Sequence, residues 1–172
     1  MKLNFSAARM SDLDAIMQIE HAGFTPQEAA SRISMAARIT NYPDTFIVAR
    51  VANTIVGYVV GPATFKPTIT DDLFTDSQPN QPAAPYLAIL SLAVAPNMQH
   101  RGIGRQLLAK LTQVAQLQKR TALTLTCLSR LIPFYEHVGF HNDGLAASTH
   151  AGEVWFNMSK PVKPVAKPVQ FR

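Results

Sequence analysis

One cysteine among 172 residues leaves Cys127 without a partner for an internal disulfide. No apolar run approaches the roughly 20 residues that a membrane span needs. The longest are short and strand-like, such as Ile55 to Val60. The opening segment, MKLNFSAARMSD, lacks the apolar stretch and small-residue cleavage site of a secretory leader, so a cytoplasmic protein without a membrane partner is expected. The five histidines are scattered without metal-ligand spacing, and no metal is expected. Acids are scarce, 11 against 16 Lys and Arg, giving a net charge of +5. Four of those bases, Lys160, Lys163, Lys167 and Arg172, fall in a terminal segment that holds no acid; without them the charge is +1. The basicity therefore belongs to the tail. A nucleic-acid binder carries its basic face on the domain itself, so no nucleic-acid partner is expected.

Apolar residues make up 47% of the chain, enough for one full core. Residues 2–9 read as a strand. Ser11 to Asp14 resembles a capping box with Asp in the Glu/Gln place, and Leu13, Ile16, Met17 and Glu20 follow at helical spacing as far as Gly23. Thr25-Pro-Gln-Glu28 is a fuller capping box and predicts a second helix over 26–39. Residues 45–51 and 55–60 flank a tight turn and read as a hairpin. Residues 66–85 are rich in Pro, Asp and Gln without periodicity, a long loop of the kind that often borders a site. Tyr86 to Ala95 reads as one central strand buried on both faces. A helix from Ile103, a strand over 122–127, a short helix over 132–138 stopped by Gly139, a strand from Phe140 and a last strand over 153–158 complete the pattern. The class is α+β around a mixed sheet. Residues 1–159 form one domain, and the Lys-Pro-Val repeats of 160–172 predict an extended or disordered tail.

The most informative segment is LSLAVAPNMQHRGIGRQLLAKL, residues 90–111. A buried strand runs into a polar loop, and a helix opens inside the Gly102-Ile103-Gly104 stretch. The first turn of a helix offers free N–H groups and the positive end of the helix dipole, which suits a pyrophosphate. The two glycines allow close backbone approach, and Arg101 and Arg105 add charge. Two other phosphate-binding patterns fail here. Leu107 stands where a dinucleotide-binding motif has its third glycine, and no Gly-Lys-Ser/Thr follows.

Gln99-x-x-Gly102-x-Gly104, preceded by Leu92-Ala-Val-Ala-Pro96, resembles the acetyl-CoA signature of the GNAT superfamily of N-acetyltransferases. Ile132-Pro-Phe-Tyr-Glu-His-Val-Gly-Phe140 is similar to that family's second signature. Residues 125–144, with Ser148-Thr-His150 and Val154-Trp155, look most like the arylalkylamine (serotonin) N-acetyltransferase branch. The resemblance implies a GNAT fold and transfer of acetyl from acetyl-CoA to a small-molecule primary amine by direct attack in a ternary complex, by a monomer or homodimer. It implies cofactor contacts from Leu92, Ala93 and Val94, from Gln99, His100, Arg101, Gly102, Ile103, Gly104 and Arg105, and from Pro133, Phe134 and Tyr135. It also implies that Tyr135 is the general acid for the departing thiolate.

The chain departs from the vertebrate members of that branch at Ala88 and Leu90, where they have histidines, so that general base is missing. Glu20, His21 or a water chain is the expected replacement, with Glu20 the named candidate. Cys127 reads as a small core residue rather than a nucleophile. Asp71, Asp72 and Asp76 in the long loop stand where they would steer a cationic amine, or simply form a solvated loop. A GNAT-fold module that binds acetyl-CoA without turnover is the alternative function, and the missing histidines are the feature that favours it.

Overall fold

Strand β1 (Leu3–Ala7) lies antiparallel to β2 (Phe46–Val51), and β2 to β3 (Thr54–Val60), as the hairpin pattern predicts. The computed structural model describes residues 1–165. Helices α1 (Leu13–Gly23) and α2 (Arg32–Asn41) cover one face of these strands. Their apolar stripes bury Ile16, Met35 and Ile39 against Phe46, Val48, Tyr58 and Val60. The opposite face packs on α4 (Ile103–Leu117), whose Leu107, Leu108 and Leu111 meet Ala49, Val56 and Val59 in a second cluster.

Both predicted capping boxes need correction. Ser11 does not cap α1. The Asp12 carboxylate instead accepts the Arg9 N–H at 2.9 Å and the Arg50 guanidinium at 2.7 Å, tying the helix entry to β2. Thr25 and Glu28 do make the reciprocal contacts, with hydroxyl to carboxylate at 2.8 Å and N–H to hydroxyl at 3.3 Å, but only one turn follows. The Ala30 N–H that a helix over 26–39 would need is given to the Glu20 carboxylate at 2.9 Å. Ser31 then restarts the helix as N-cap, accepting the Ser34 N–H at 3.1 Å.

The run Tyr86 to Ala95 is two strands, not one. Strand β5 (Tyr86–Ile89) pairs parallel with β7 (Ala122–Cys127), while β6 (Ser91–Val94) pairs antiparallel with β3. Ser91 is in register with Val60, and the Leu90 N–H also donates to the Val60 carbonyl at 2.9 Å. Two residues thus oppose one, which is a β-bulge. The expected mixed sheet divides here into a four-stranded sheet, β1-β2-β3-β6, and a five-stranded one, β4-β5-β7-β9-β8. In the latter, β4 is Ala63–Thr64, β8 is His141–Leu145 and β9 is Phe156–Pro161. Beyond Ile89 and Leu125 the chain of β6 leaves β7, and a cleft opens between them.

The segment over 66–85 carries a short helix, α3 (Asp72–Thr75), and is pinned at several points. The Arg38 guanidinium donates to the Phe74 carbonyl at 2.9 Å, and the Asn41 amide to Ser77 Oγ at 2.7 Å. Asn80 bridges Thr45 Oγ1 and the Ala63 N–H, both at 2.8 Å. Helix α5 (Ile132–His137) completes the cover of the five-stranded sheet.

The expected boundary between domain and tail at 159/160 also shifts. Strand β9 continues to Pro161, opposite Ala122, and Val162 is buried with its N–H on the Thr121 carbonyl at 2.9 Å. Residues 166–172 of the expected tail lie outside the described residues. A chain ending at Lys160 loses the burial of Val162, worth about 1.5–3 kcal/mol. The expected result in a thermal melt is a midpoint lowered by roughly 3–10 °C. Among the described residues no helix is long and apolar enough to cross a membrane.

Candidate active site

Three sequence-predicted segments meet at the mouth of the cleft. Strand β6 is an edge strand of its sheet, bonded to β3 alone. Ala95 donates to Val56 at 2.8 Å, so by the alternation of an antiparallel ladder Ala93 also faces β3. The backbone groups of Leu92 and Val94 therefore point into the opening; the Val94 carbonyl accepts the Gln99 side-chain amide at 3.2 Å. Ala93 is turned the other way: its side chain is buried in the α1/α2 layer, so it offers the cleft neither backbone nor side chain.

At the head of α4, His100 and Gly102 take left-handed backbone conformations (φ 61° and 77°). Among the described residues, none of the N–H groups from Gln99 to Arg105 has a hydrogen-bond acceptor. Positive φ at alternate positions turns successive N–H groups toward one side, and the helix dipole adds its positive end. The Ile103 side chain is buried in the core, so only its backbone faces the cleft, while Arg101 and Arg105 are exposed. A Cβ at Gly104 would lie 3.5 Å from the Phe134 ring and 3.9 Å from Val94. Gly104 is thus the narrow point where β6, α4 and α5 converge. Pro133 is exposed in the first turn of α5. Farther out, a cleft of about 410 Å³ between α4 and α5 is lined by Arg105, His137 and Lys160.

Tyr135 points inward from α5 and is buried, its ring edge-on to Phe134 and Phe140 at 5.0 and 5.6 Å. Burial, and then the neighbouring Cys127 thiol, push its phenol well above the ordinary tyrosine range, so it stays protonated. Burial likewise pushes the Cys127 thiol up to about 11. A thiol so placed is a poor nucleophile, in keeping with a core role.

Glu20 lies on the other face of the β6 bulge. Its carboxylate accepts the Ala30 N–H, the Ser91 hydroxyl at 2.9 Å and the Tyr58 hydroxyl. Burial and the Glu20 charge raise the Tyr58 phenol well above its usual range. Arg38 is buried beside them, its pKa lowered by burial and partly restored by Glu20. Glu20 is therefore inside the protein with three donors on its carboxylate, and His21, the next residue, is exposed. Ala88 is fully buried against the Gly61 backbone, and Leu90 packs toward α1 and α2.

The acetyltransferase (GNAT) family model matches residues 13–140, from α1 to the end of the second signature. The chain belongs to that family. It is a GNAT acetyltransferase by family and by fold, and several of its structural neighbours are N-acetyltransferases. A GNAT-like decarboxylase, GphF, in complex with isobutyryl-CoA superposes with TM-score 0.81 at 18% identity, covering 93% of this chain and 100% of that one. The ribosomal-protein-S18-alanine N-acetyltransferase from Escherichia coli gives 0.70 at 18%, covering 99% and 100%. The PaiA N-acetyltransferase from Thermoplasma acidophilum in complex with coenzyme A gives 0.70 at 15%, covering 94% and 99%. No curated protein matches the chain in sequence.

Within this GNAT fold, sequence reasoning missed the hydrogen-bonded group of Tyr58, Ser91 and Arg38 around Glu20. Its one sequence signal is a polar Ser91 inside an apolar run. It also missed how the long loop is anchored. Of the loop acids, Asp71 accepts the Ser148 hydroxyl at 2.6 Å, and Asp72 and Asp76 are exposed.

Proposed function

We propose that this chain transfers the acetyl group of acetyl-CoA to a primary amine by direct attack in a ternary complex. The observation that carries the reading is the unbroken row of unpartnered N–H groups from Gln99 to Arg105, beside the free edge of β6. Such a row fits a pyrophosphate, and the outward backbone groups of Leu92 and Val94, once Gln99 releases the Val94 carbonyl, fit the amide groups of a pantetheine arm as an added strand would. Phe134 and Gly104 border the arm, and the basic cleft of Arg105, His137 and Lys160 suits the phosphate-bearing nucleoside end. The cofactor supplies an activated acetyl thioester. Attack forms the amide bond and breaks the carbon–sulfur bond; the Tyr135 phenol gives its proton to the sulfur, and the proton that the nitrogen sheds on becoming an amide restores the phenol through water. Tyr135 retained as a protonated, buried phenol supports turnover over a binding-only module.

Glu20, buried and held by three donors, acts in this reading by holding the bulge in place. The amine loses its proton to water before attack. The likeness of residues 125–144 to the arylalkylamine branch is consistent with an amine acceptor.

A panel of amines assayed by CoA release tests the activity, with turnover of at least one amine expected. Gly104→Val tests the placement. Its added methyl groups fill the narrow point between Val94 and Phe134. Acetyl-CoA affinity by calorimetry is expected to fall about 100-fold, the equivalent of about 2.7 kcal/mol, with the melting temperature preserved. Unchanged affinity would mean that the arm lies elsewhere.

A further inference from the structure

Two buried side-chain oxygens lack a hydrogen-bond partner among the described residues: Glu153 Oε2 and Asn157 Oδ1. Both belong to one stretch of chain. Glu153 is extended (φ −105°, ψ 165°), and the Ala146 N–H donates to the Trp155 carbonyl at 2.8 Å, so the β8–β9 hairpin continues back from Phe156. Side chains alternate along extended backbone, so Glu153 and Asn157 share a face, about 13 Å apart at Cα. Met158 points the opposite way, into the core under α4 and α5. Asn157 is in register with Thr126, the residue after the last β5–β7 pair. It therefore stands on β9, across β7 from the split and level with it, on the face away from Tyr135.

The outer side of this face is closed. The Trp155 indole donates to the His150 carbonyl at 2.8 Å, and the His150 ring stacks on Phe74 at 4.8 Å and 6°. Glu153 has no cation in salt-bridge range among the described residues, whose ion pairs are Arg32–Asp14 and Arg50–Asp12. A buried carboxylate oxygen without a partner is costly, and the group that relieves it is a donor carrying positive charge.

We infer that Glu153 and Asn157 form the acceptor site and select an amine with a second cationic nitrogen. The inference rests on the acetyl-transfer reading above, which puts the cofactor on the α4/α5 side and leaves this face to the acceptor. The two residues divide the task. The reacting nitrogen must be neutral to attack, so a carboxylate beside it would hold it in the wrong state. Asn157, level with the split and reaching across Thr126 of β7, accepts an N–H of the reacting amine without stabilising its ammonium form. Glu153, farther out, takes the second, protonated nitrogen.

The test uses α,ω-diamines from 1,3-diaminopropane to 1,6-diaminohexane against monoamines of equal length, assayed by CoA release. For the best diamine, kcat/KM is expected to exceed that of its monoamine by about tenfold or more, the scale of one charge-assisted hydrogen bond. Glu153→Gln, which keeps the shape, should abolish that preference by lowering the diamine's kcat/KM, with a cooperative thermal melt retained. A wild-type enzyme indifferent to the second nitrogen, or a preference that survives Glu153→Gln, overturns the inference. Calorimetry of 1,4-diaminobutane with the CoA-saturated protein reads the same site without turnover. Binding there that depends on Glu153, without acetylation of any amine, upholds the inference and sinks the acetyl-transfer reading instead.

Discussion

Tyr135→Phe is expected to lower kcat by roughly 10²–10⁴-fold, the usual contribution of a positioned general acid, with acetyl-CoA affinity nearly unchanged. The substitution keeps the ring that packs edge-on against Phe134 and Phe140 and removes only the proton. The pH dependence gives a second readout. Burial raises the phenol above its ordinary value, so the acid form persists as pH rises through the range where a free tyrosine ionises. The wild-type rate should therefore show no alkaline loss from Tyr135 up to about pH 10. Its rising limb should track deprotonation of the acceptor amine. The Phe variant should follow the same profile, displaced downward by a constant factor. Equal single-turnover rates for the two proteins would make Tyr135 a packing residue only.

Gly61→Ala is expected to destabilise the fold by on the order of 4 kcal/mol or more, in the range of the most damaging single substitutions. A Cβ at Gly61 would fall 1.5 Å from the Ala88 carbonyl oxygen and 2.5 Å from its carbon. Neither atom is the end of a flexible side chain; both belong to β5. The Gly61 backbone is itself fixed, its N–H on Thr45 at 3.2 Å and its carbonyl accepting the Thr45 hydroxyl at 2.6 Å. The two sheets are joined at this place, so relief would require moving β3 from β5 and with it the β6 bulge. Urea denaturation measures the loss. Gly23→Ala is the control: a Cβ there meets only the Ala93 Cβ, at 3.8 Å. At the last residue of α1 its effect should stay within about 1 kcal/mol. Comparable midpoints for the two variants would show that the sheets can shift apart at little cost.

Much of this protein is local and therefore legible in its sequence. Helical spacing located α1 and α4, Gly139 ended α5, and the hairpin of β2 and β3 followed from two strand-like runs around a turn. The two signatures, Gln99 to Gly104 and Ile132 to Phe140, marked the cleft because its chemistry is mostly backbone chemistry. Free N–H groups at a helix start need glycines and little else, and that need is written in adjacent residues.

What the sequence could not determine depends on partners distant along the chain. The helix expected from Pro26 begins instead at Arg32, because Glu20 claims the Ala30 N–H. The apolar run from Tyr86 to Ala95 has one hydrophobic pattern but two neighbours, β7 and then β3, and only their positions break it at Leu90. The tail boundary moved because Val162 finds cover beside Thr121, which no feature of a Lys-Pro-Val repeat announces. Glu20 carried a plausible role as base until the fold surrounded it with three donors, and Glu153 and Asn157 drew no notice until burial left their oxygens unpartnered. Local conformation and backbone chemistry were set by neighbouring residues. The acidity, accessibility and pairing of each side chain were set by tertiary contacts, since desolvation and hydrogen bonding depend on what the fold brings near.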